Sequence, residues 1–413
     1  MMKKITWLMA FMMSLTASAQ GLEGVWKGKL QAGPQALTLV LHVEPGQGKV
    51  TIDVIEQSAD NIAMLKNHLS SDSINVSVPS LGLNIAGKLL GEKLVCTFRQ
   101  ATFSAPMTFE RGTVTFRRPQ EPKAPYPYAT SEVTFGNPKA NVTLAGTLTL
   151  PEGYKAGDHV PVVLMVTGSG AQDRNEEVFH HKYFLVIADW LARNGIASLR
   201  YDDRGTGQST GDFAASTTAD FAADAAEGLR YLRGDHRFSK VGILGHSEGG
   251  SIAYLLGQER LPDFIVSMAG PACRIDTLMM EQLNGMSHAM GMTSNSVNSV
   301  AETRQLLLSQ ADTPWMRYFL DMDLAAAVKA THCPVLALGG EKDLNVPVSL
   351  NVPALHKNLP ATEGNAIKVY PGLGHTFQPC DTGMPTEYAS IEETIAPEVL
   401  KDISDWILTQ AKN

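Results

Sequence analysis

The sequence predicts two folded parts in series. The first is a small antiparallel β-barrel or sandwich. The second is a larger α/β domain whose mostly parallel sheet carries helices on both faces and a helical cap insertion. Three observations predict this. Apolar residues alternate with period two over residues 22–118, apolar runs alternate with helical stretches from Glu132 onward, and residues 119–127 between them hold four prolines. Period two marks strands with one buried face, whereas continuous apolar runs separated by helices mark parallel strands buried on both faces.

Taken in order, the chain of 413 residues opens Met1-Met2-Lys3-Lys4, runs apolar from Ile5 to Leu15 and reaches Ala17-Ser18-Ala19. That succession of basic, apolar and small residues is expected to be a signal peptide, residues 1–19, cut before Gln20. The protein is then exported, to the periplasm or outside the cell. No run approaches the roughly 18 apolar residues of a membrane-spanning helix, so no membrane insertion is expected.

Residues 20–118 form the β-domain. Leu37, Leu39, Leu41 and Val43 alternate with Thr38, Val40 and His42, and further strands are expected at 50–52, 74–78, 95–98 and 114–116. Turn residues such as Pro45-Gly46-Gln47-Gly48 separate them. Residues 119–131 are a stiff, proline-rich linker. The α/β domain, 132–413, opens with an antiparallel pair at 133–135 and 142–150. Strands follow at 160–166, 196–201, 241–244, 264–268 and 335–338, with helices at 184–191 and 221–232 and a closing helix at 393–411. Residues 271–331 show no strand pattern and hold seven of the 17 methionines: Met279, Met280, Met286, Met290, Met292, Met316 and Met322. Methionine suits an adaptable pocket wall. The insertion leaves the sheet at its C-terminal edge, where α/β sites lie, so a cap over the site is expected.

Composition narrows the function classes. Hydrophobic content of 44% and charged content of 18% are ordinary for a globular protein. The net charge of −8 repels nucleic acid and anionic lipid, so neither is an expected partner. The four cysteines are far apart and form no C-x-x-C pair, so neither a metal nor another cofactor is expected. Whether Cys273 and Cys380 are linked, and the oligomeric state, the sequence leaves open.

The chemistry centres on Gly245-His246-Ser247-Glu248-Gly249. An apolar strand, 241–244, precedes it and a helical run follows directly. A strand that ends in G-x-S-x-G and turns straight into a helix is a nucleophile elbow, with Ser247 exposed at the turn. Serine needs a base, and the base an orienting acid. Glu341 and Asp343 follow the strand at 335–338. Asp343 lies farther into the loop, placed to reach sideways, and is preferred. His356 falls in an amphipathic stretch, whereas His375 sits in the glycine-flanked loop Pro371-Gly372-Leu373-Gly374-His375 and is the better base. An oxyanion hole is expected from the backbone N–H groups of Glu248 and of Ser169, in the loop 167–174. Asp173 and Arg174 read as an ion pair holding that loop, His180, His181 and Lys182 as a largely solvated helix start, and 201–209 as a scaffold turn beside the elbow.

These motifs, Gly168-Ser169-Gly170 with Asp173-Arg174, Tyr201-Asp202-Asp203-Arg204-Gly205, Gly245-His246-Ser247-Glu248-Gly249-Gly250, Gly340-Glu341 with Asp343, and Gly374-His375, resemble the exported bacterial carboxylesterases of the serine α/β-hydrolase superfamily from about Glu132 to the C-terminus. The β-domain and linker are similar to that group's N-terminal module, without an equally sharp motif. The resemblance implies the α/β-hydrolase fold, Ser247, Asp343 and His375 as the triad, and activity on simple carboxylic esters; the adaptable apolar walls of the insertion add the expectation of small-molecule esters of short to medium acyl length. Relatives often carry Pro at Ala171 and Asp at Asn175, so the shape of that loop is less defined. A serine peptidase or thioesterase on the same triad is the alternative. From another class, so is a cell-envelope binding protein with a vestigial site.

Overall fold

The computed structural model describes residues 21–32, 35–44, 46, 48–292 and 296–412, so the expected signal peptide lies outside them. The described residues form two compact units, one made of those up to 55 with 59–114, the other of 56–58 with those from 115 onward.

The first unit is a nine-stranded, all-antiparallel sheet that curls into a near-barrel. Strands β1 (Gly24–Ala32), β2 (Gln35–Val43), β3 (Val50–Val54) and β4 (Ala59–Met64) make one half. Strands β5 (Lys66–Leu69), β6 (Ser73–Val78), β7 (Leu83–Leu90), β8 (Lys93–Gln100) and β9 (Phe103–Arg111) make the other. Their order is β4-β3-β2-β1-β9-β8-β7-β6-β5. The alternation in sequence becomes one core: Trp26, Leu39, Leu41, Ile52, Val76, Ile85, Leu94 and Phe109 pack together inside. The strand expected at 114–116 does not form, because the last ladder ends at Arg111.

The second unit carries an eight-stranded sheet in the order β10-β11-β15-β12-β16-β17-β18-β19. These are β10 (Thr130–Asn137), β11 (Val142–Thr149), β12 (Val160–Val166), β15 (Ala197–Tyr201), β16 (Phe238–His246), β17 (Ile265–Met268), β18 (Val335–Gly340) and β19 (Ala366–Tyr370). The two-residue strands β13 (Glu177–Val178) and β14 (His181–Lys182) form a separate ribbon. Pairing is antiparallel for β10–β11 and β11–β15 and parallel from β15 to β19. Helices α1 (Tyr183–Arg193) and α9 (Pro397–Lys412) cover one face; α2 (Thr218–Arg233), α3 (Glu248–Gln258) and α8 (Val348–Asn358) cover the other.

The apolar runs are continuous because both faces are buried. In β12, Val162, Leu164 and Val166 join the cluster of Leu229, Ile252 and Ala253, while Val163 and Met165 point the other way into Phe184, Ile187 and Ile403. A fully buried apolar side chain contributes roughly 1.5–3 kcal/mol, so this two-sided packing fixes the strand order on which the site depends. Between β17 and β18 the chain makes four helices, α4 (Ile275–Ala289), α5 (Val300–Gln310), α6 (Pro314–Asp321) and α7 (Leu324–Lys329). Cys273 and Cys380 are both free thiols. Among the described residues, no helix is long and apolar enough to cross a membrane and no cluster of side chains could hold a metal ion.

Candidate active site

Strand β16 ends at His246, and α3 begins at Glu248, so the chain reverses within one residue. Ser247 takes φ 54° and ψ −117°, a conformation that costs a non-glycine residue about 1–3 kcal/mol. The glycines around it are required by close approach. A Cβ on Gly249 would stand 2.1 Å from the Val166 carbonyl oxygen, and one on Gly250 would stand 2.5 Å from the Gly270 Cα. Ser247 therefore sits at the mouth of the turn with the N-terminus of α3 behind it, a position that favours negative charge.

Asp343 and His375 come from the loops after β18 and β19. His375 Nδ1 lies 2.8 Å from Asp343 Oδ2, and both residues are buried. The other carboxylate oxygen of Asp343 accepts the N–H groups of Asn345 and Val346, each at 2.8 Å, so the acid cannot rotate away. Glu341 is exposed and accepts the N–H of Gly372 instead. His356 is exposed on α8. Ser247 and His375 line one cleft of about 270 Å³, together with Ser169, Phe179, Trp315 and Tyr388.

The loop 167–174 forms another wall. Gly168 donates its N–H to Glu176 Oε1 at 2.7 Å, and Gly168 and Ser169 both line the cleft. The Ser169 side chain lies beside the carboxylate of Glu248 and favours its charged form. Asp203 braces the loop from below by accepting the Thr167 hydroxyl at 3.0 Å and the Gln172 N–H at 3.0 Å. Burial pushes the Asp203 carboxyl well above the ordinary range, beyond what those donors offset.

Several expectations need correction. Arg174 does not pair with Asp173; it bridges Asp202 and Glu132, while Asp173 accepts the N–H groups of Asn175 and Glu177. His181 is not solvated. It is fully buried, and burial drives its pKa down to about 4. Of the seven cap methionines only Met279 reaches the cleft; the roof is aromatic, with Trp315 stacked on Phe319 at 4.9 Å between ring centroids. Trp315 Nε1 donates to both carboxylate oxygens of Glu248, at 3.0 and 3.2 Å. Burial raises the Glu248 carboxyl despite its donors Thr218 and Trp315 and the Ser169 side chain beside it.

Sequence reasoning missed the role of Glu176 and His246. Both are buried, with His246 Nδ1 2.8 Å from Glu176 Oε1 and His246 Nε2 3.2 Å from the His375 carbonyl oxygen. The available signal was a histidine at the end of an otherwise apolar strand, which burial obliges to find partners.

With this geometry in hand, likeness to known proteins is limited but consistent. The sequence profile of the family described as "Serine aminopeptidase, S33" matches residues 178–378. Esterase EstD of Thermotoga maritima is 27% identical over 279 residues, covering 64% of this chain and 65% of its own. The chain thus spans just under two thirds of that relative's length. Among solved structures, a hypothetical protein, PA2218, from Pseudomonas aeruginosa superposes with TM-score 0.50 at 14% identity, over 72% of this chain and 98% of its own. The Pyrococcus furiosus esterase Pf2001 gives 0.48 at 14%, over 73% of this chain and all of its own. Strand order, elbow and the family match over residues 178–378 agree: the second unit has the α/β-hydrolase fold.

Proposed function

We propose that the chain is a serine carboxylesterase that cleaves small-molecule esters of short to medium acyl length through an acyl-enzyme. The observation that carries this reading is the 2.8 Å contact of His375 with Asp343, with His375 and Ser247 facing one cleft. In this reading Asp343 holds the His375 Nδ1–H, leaving Nε2 free to take the Ser247 proton as Oγ attacks the ester carbonyl. The oxyanion falls between the N–H groups of Glu248 and Ser169, each worth roughly 3 kcal/mol in the transition state. His375 then protonates the leaving alcohol, and water repeats the sequence to release the acid. No cofactor takes part.

The family description makes a peptidase the second reading. An aminopeptidase holds the substrate's cationic amino group with an accessible acid. Among the described residues lining the cleft Glu176 is the only acid, and its Oε1 is already committed to Gly168 and His246. That favours neutral esters. A cleft of about 270 Å³ is at the small end for ligand sites, which run from roughly 300 Å³ upward. Export follows in the same proposal from residues 1–19.

The test is turnover of p-nitrophenyl acetate. Ser247→Ala and His375→Ala should each lose about four to six orders of magnitude, with the double variant little worse. Asp343→Asn should lose about 10⁴, and Glu341→Gln almost nothing. A Ser247→Ala enzyme that kept a tenth of the activity would refute the mechanism.

A further inference from the structure

Beside the triad lies a second buried acid–imidazole pair. We propose that Glu176 and His246 form an ion pair that positions both halves of the catalytic apparatus, the oxyanion loop through the Gly168 N–H and the base through the His375 carbonyl. This rests on reading Ser247, Asp343 and His375 as the triad.

Proton accounting supports it. A carbonyl oxygen only accepts, so the 3.2 Å contact with the His375 carbonyl requires a proton on His246 Nε2. One further proton then lies between His246 Nδ1 and Glu176 Oε1 at 2.8 Å. Burial by itself lowers the His246 pKa, but the charge and hydrogen bond of Glu176, with the His375 carbonyl and the Asp343 charge, more than reverse this, and the net direction is upward, toward imidazolium. The same oxygen also accepts the Gly168 N–H at 2.7 Å, as a carboxylate oxygen readily does. A Cβ on Gly168 would lie 3.2 Å from the Ser247 Cβ and 3.3 Å from Glu176 Oε1, so the loop runs directly between acid and nucleophile.

The backbone carries a second, independent sign. Glu176 has φ 49°, and Phe179 and His180 have φ 52° and 58°. Three non-glycine residues in left-handed conformations within five positions are costly, and such strain persists where surrounding structure holds it for function. Arg118 supplies part of that hold by donating to the carbonyl oxygens of Phe179, His180, Ala389 and Ile391.

The charged and titratable groups facing the pair are His375 and Asp343 from the loops after β19 and β18, Tyr183 on α1, and Asp203 after β15. Of these, His375 is nearest to His246, with ring centroids 4.9 Å apart. Its protonation therefore reads out the charge of the pair. Removing the carboxylate leaves burial of His246 largely unopposed, so its ring becomes neutral and the protonation of His375 changes little. Removing the imidazole leaves an unpaired carboxylate, which favours that protonation.

The experiment begins with wild type on p-nitrophenyl acetate and with a fluorophosphonate probe; inertness to both would sink the triad reading rather than this one. Given an active wild type, Glu176→Gln and His246→Gln should each lower kcat about 10- to 100-fold with KM within about threefold, since misplacing machinery costs rate more than binding. The acid limb of the pH profile should move to higher pH in His246→Gln, where a carboxylate is left unpaired, and by much less in Glu176→Gln, where the imidazole becomes neutral. His246→Gln retains a donor for the His375 carbonyl, whereas His246→Asn retains only the one for Glu176 and should lose more kcat. A limb that stays put in His246→Gln, or that moves as far in Glu176→Gln, would reduce the pair to packing. Should these variants not fold, ¹⁵N-histidine NMR of the wild type decides: both His246 ring nitrogens protonated at neutral pH supports the ion pair, and a neutral ring overturns it.

Discussion

Around Ser247 a Cβ added to Gly245 would stand 2.1 Å from the Gly249 carbonyl oxygen, and one added to Gly249 equally close to that of Val166. In the roof, by contrast, α4 buries only Ile275, Asp276 and Leu278, α5 only Thr303 and Leu307, and α6 only Phe319 and Leu320. The elbow is set into the sheet with no slack, while the helices above it rest on a small cluster of Ile275, Leu278, Phe319, Met322, Leu324 and Val346. The difference divides the labour. Reacting atoms must be held to fractions of an ångström, and that requires a core packed on all sides. A substrate wall gains from being deformable. Trp315 in the roof joins the two regions by donating to both carboxylate oxygens of Glu248, the residue that follows the nucleophile.

The largest way to sharpen this contrast is through a wired part of the framework. His181 Nε2 lies 3.0 Å from the Gln378 side-chain nitrogen and 3.1 Å from the Tyr388 carbonyl oxygen, with Nδ1 2.9 Å from the Thr394 hydroxyl. Burial lowers its pKa from 6.5 to about 4, so the ring is neutral in the folded protein above that pH. Between those values the unfolded chain binds more protons than the folded one, so stability rises with pH. This contribution is complete above about pH 6.5 and is lost as pH falls toward 4, amounting to at most about 3 kcal/mol. Thermal melting from pH 4 to 7 should show that slope in wild type and a shallower one in His181→Asn. Equal slopes would mean that the framework tolerates a charge there and is less tightly wired than its geometry indicates.

Smaller effects belong to the roof. Trp315→Ala removes the stacked indole and the donor to Glu248. Across p-nitrophenyl esters from acetate to palmitate, it should shift the preferred acyl chain toward greater length and raise KM for the short esters about tenfold, as expected for a buried aromatic contact worth roughly 1–2 kcal/mol. Met286→Leu, which does not line the cleft, should change kcat/KM less than about twofold, in keeping with a volume-conserving swap. If the methionine change altered chain-length preference and the tryptophan change did not, the aromatic roof would be the wrong description.

Elements that obey one strong rule were legible in the sequence. Continuous apolar runs such as 160–166 and 241–244 can only be doubly buried strands in a chain of this pattern. G-x-S-x-G after such a run fixes a turn because only glycine fits around it. Asp343 was distinguishable from Glu341 by its distance past the strand end, and the structure brings the former to His375. What stayed hidden depends on contacts between distant segments. His181 looked solvated because its partners, Thr394 and Gln378, lie about 200 residues away. Arg174 stands next to Asp173 in sequence, but its fork finds Asp202 and Glu132 across the sheet edge. Glu176 and His246 form a pair only once the elbow and the oxyanion loop are side by side. The methionines misled because helical spacing does not reveal which face of a cap helix looks down.

The account stands or falls on Ser247 being an activated nucleophile. A fluorophosphonate probe with mass-spectrometric mapping measures this without assuming a substrate. The account requires one adduct per chain, on the Ser247 Oγ, formed rapidly by wild type, strongly slowed in His375→Ala and absent in Ser247→Ala. Labelling on another serine, or wild-type protein that stays unmodified while folded, would contradict it.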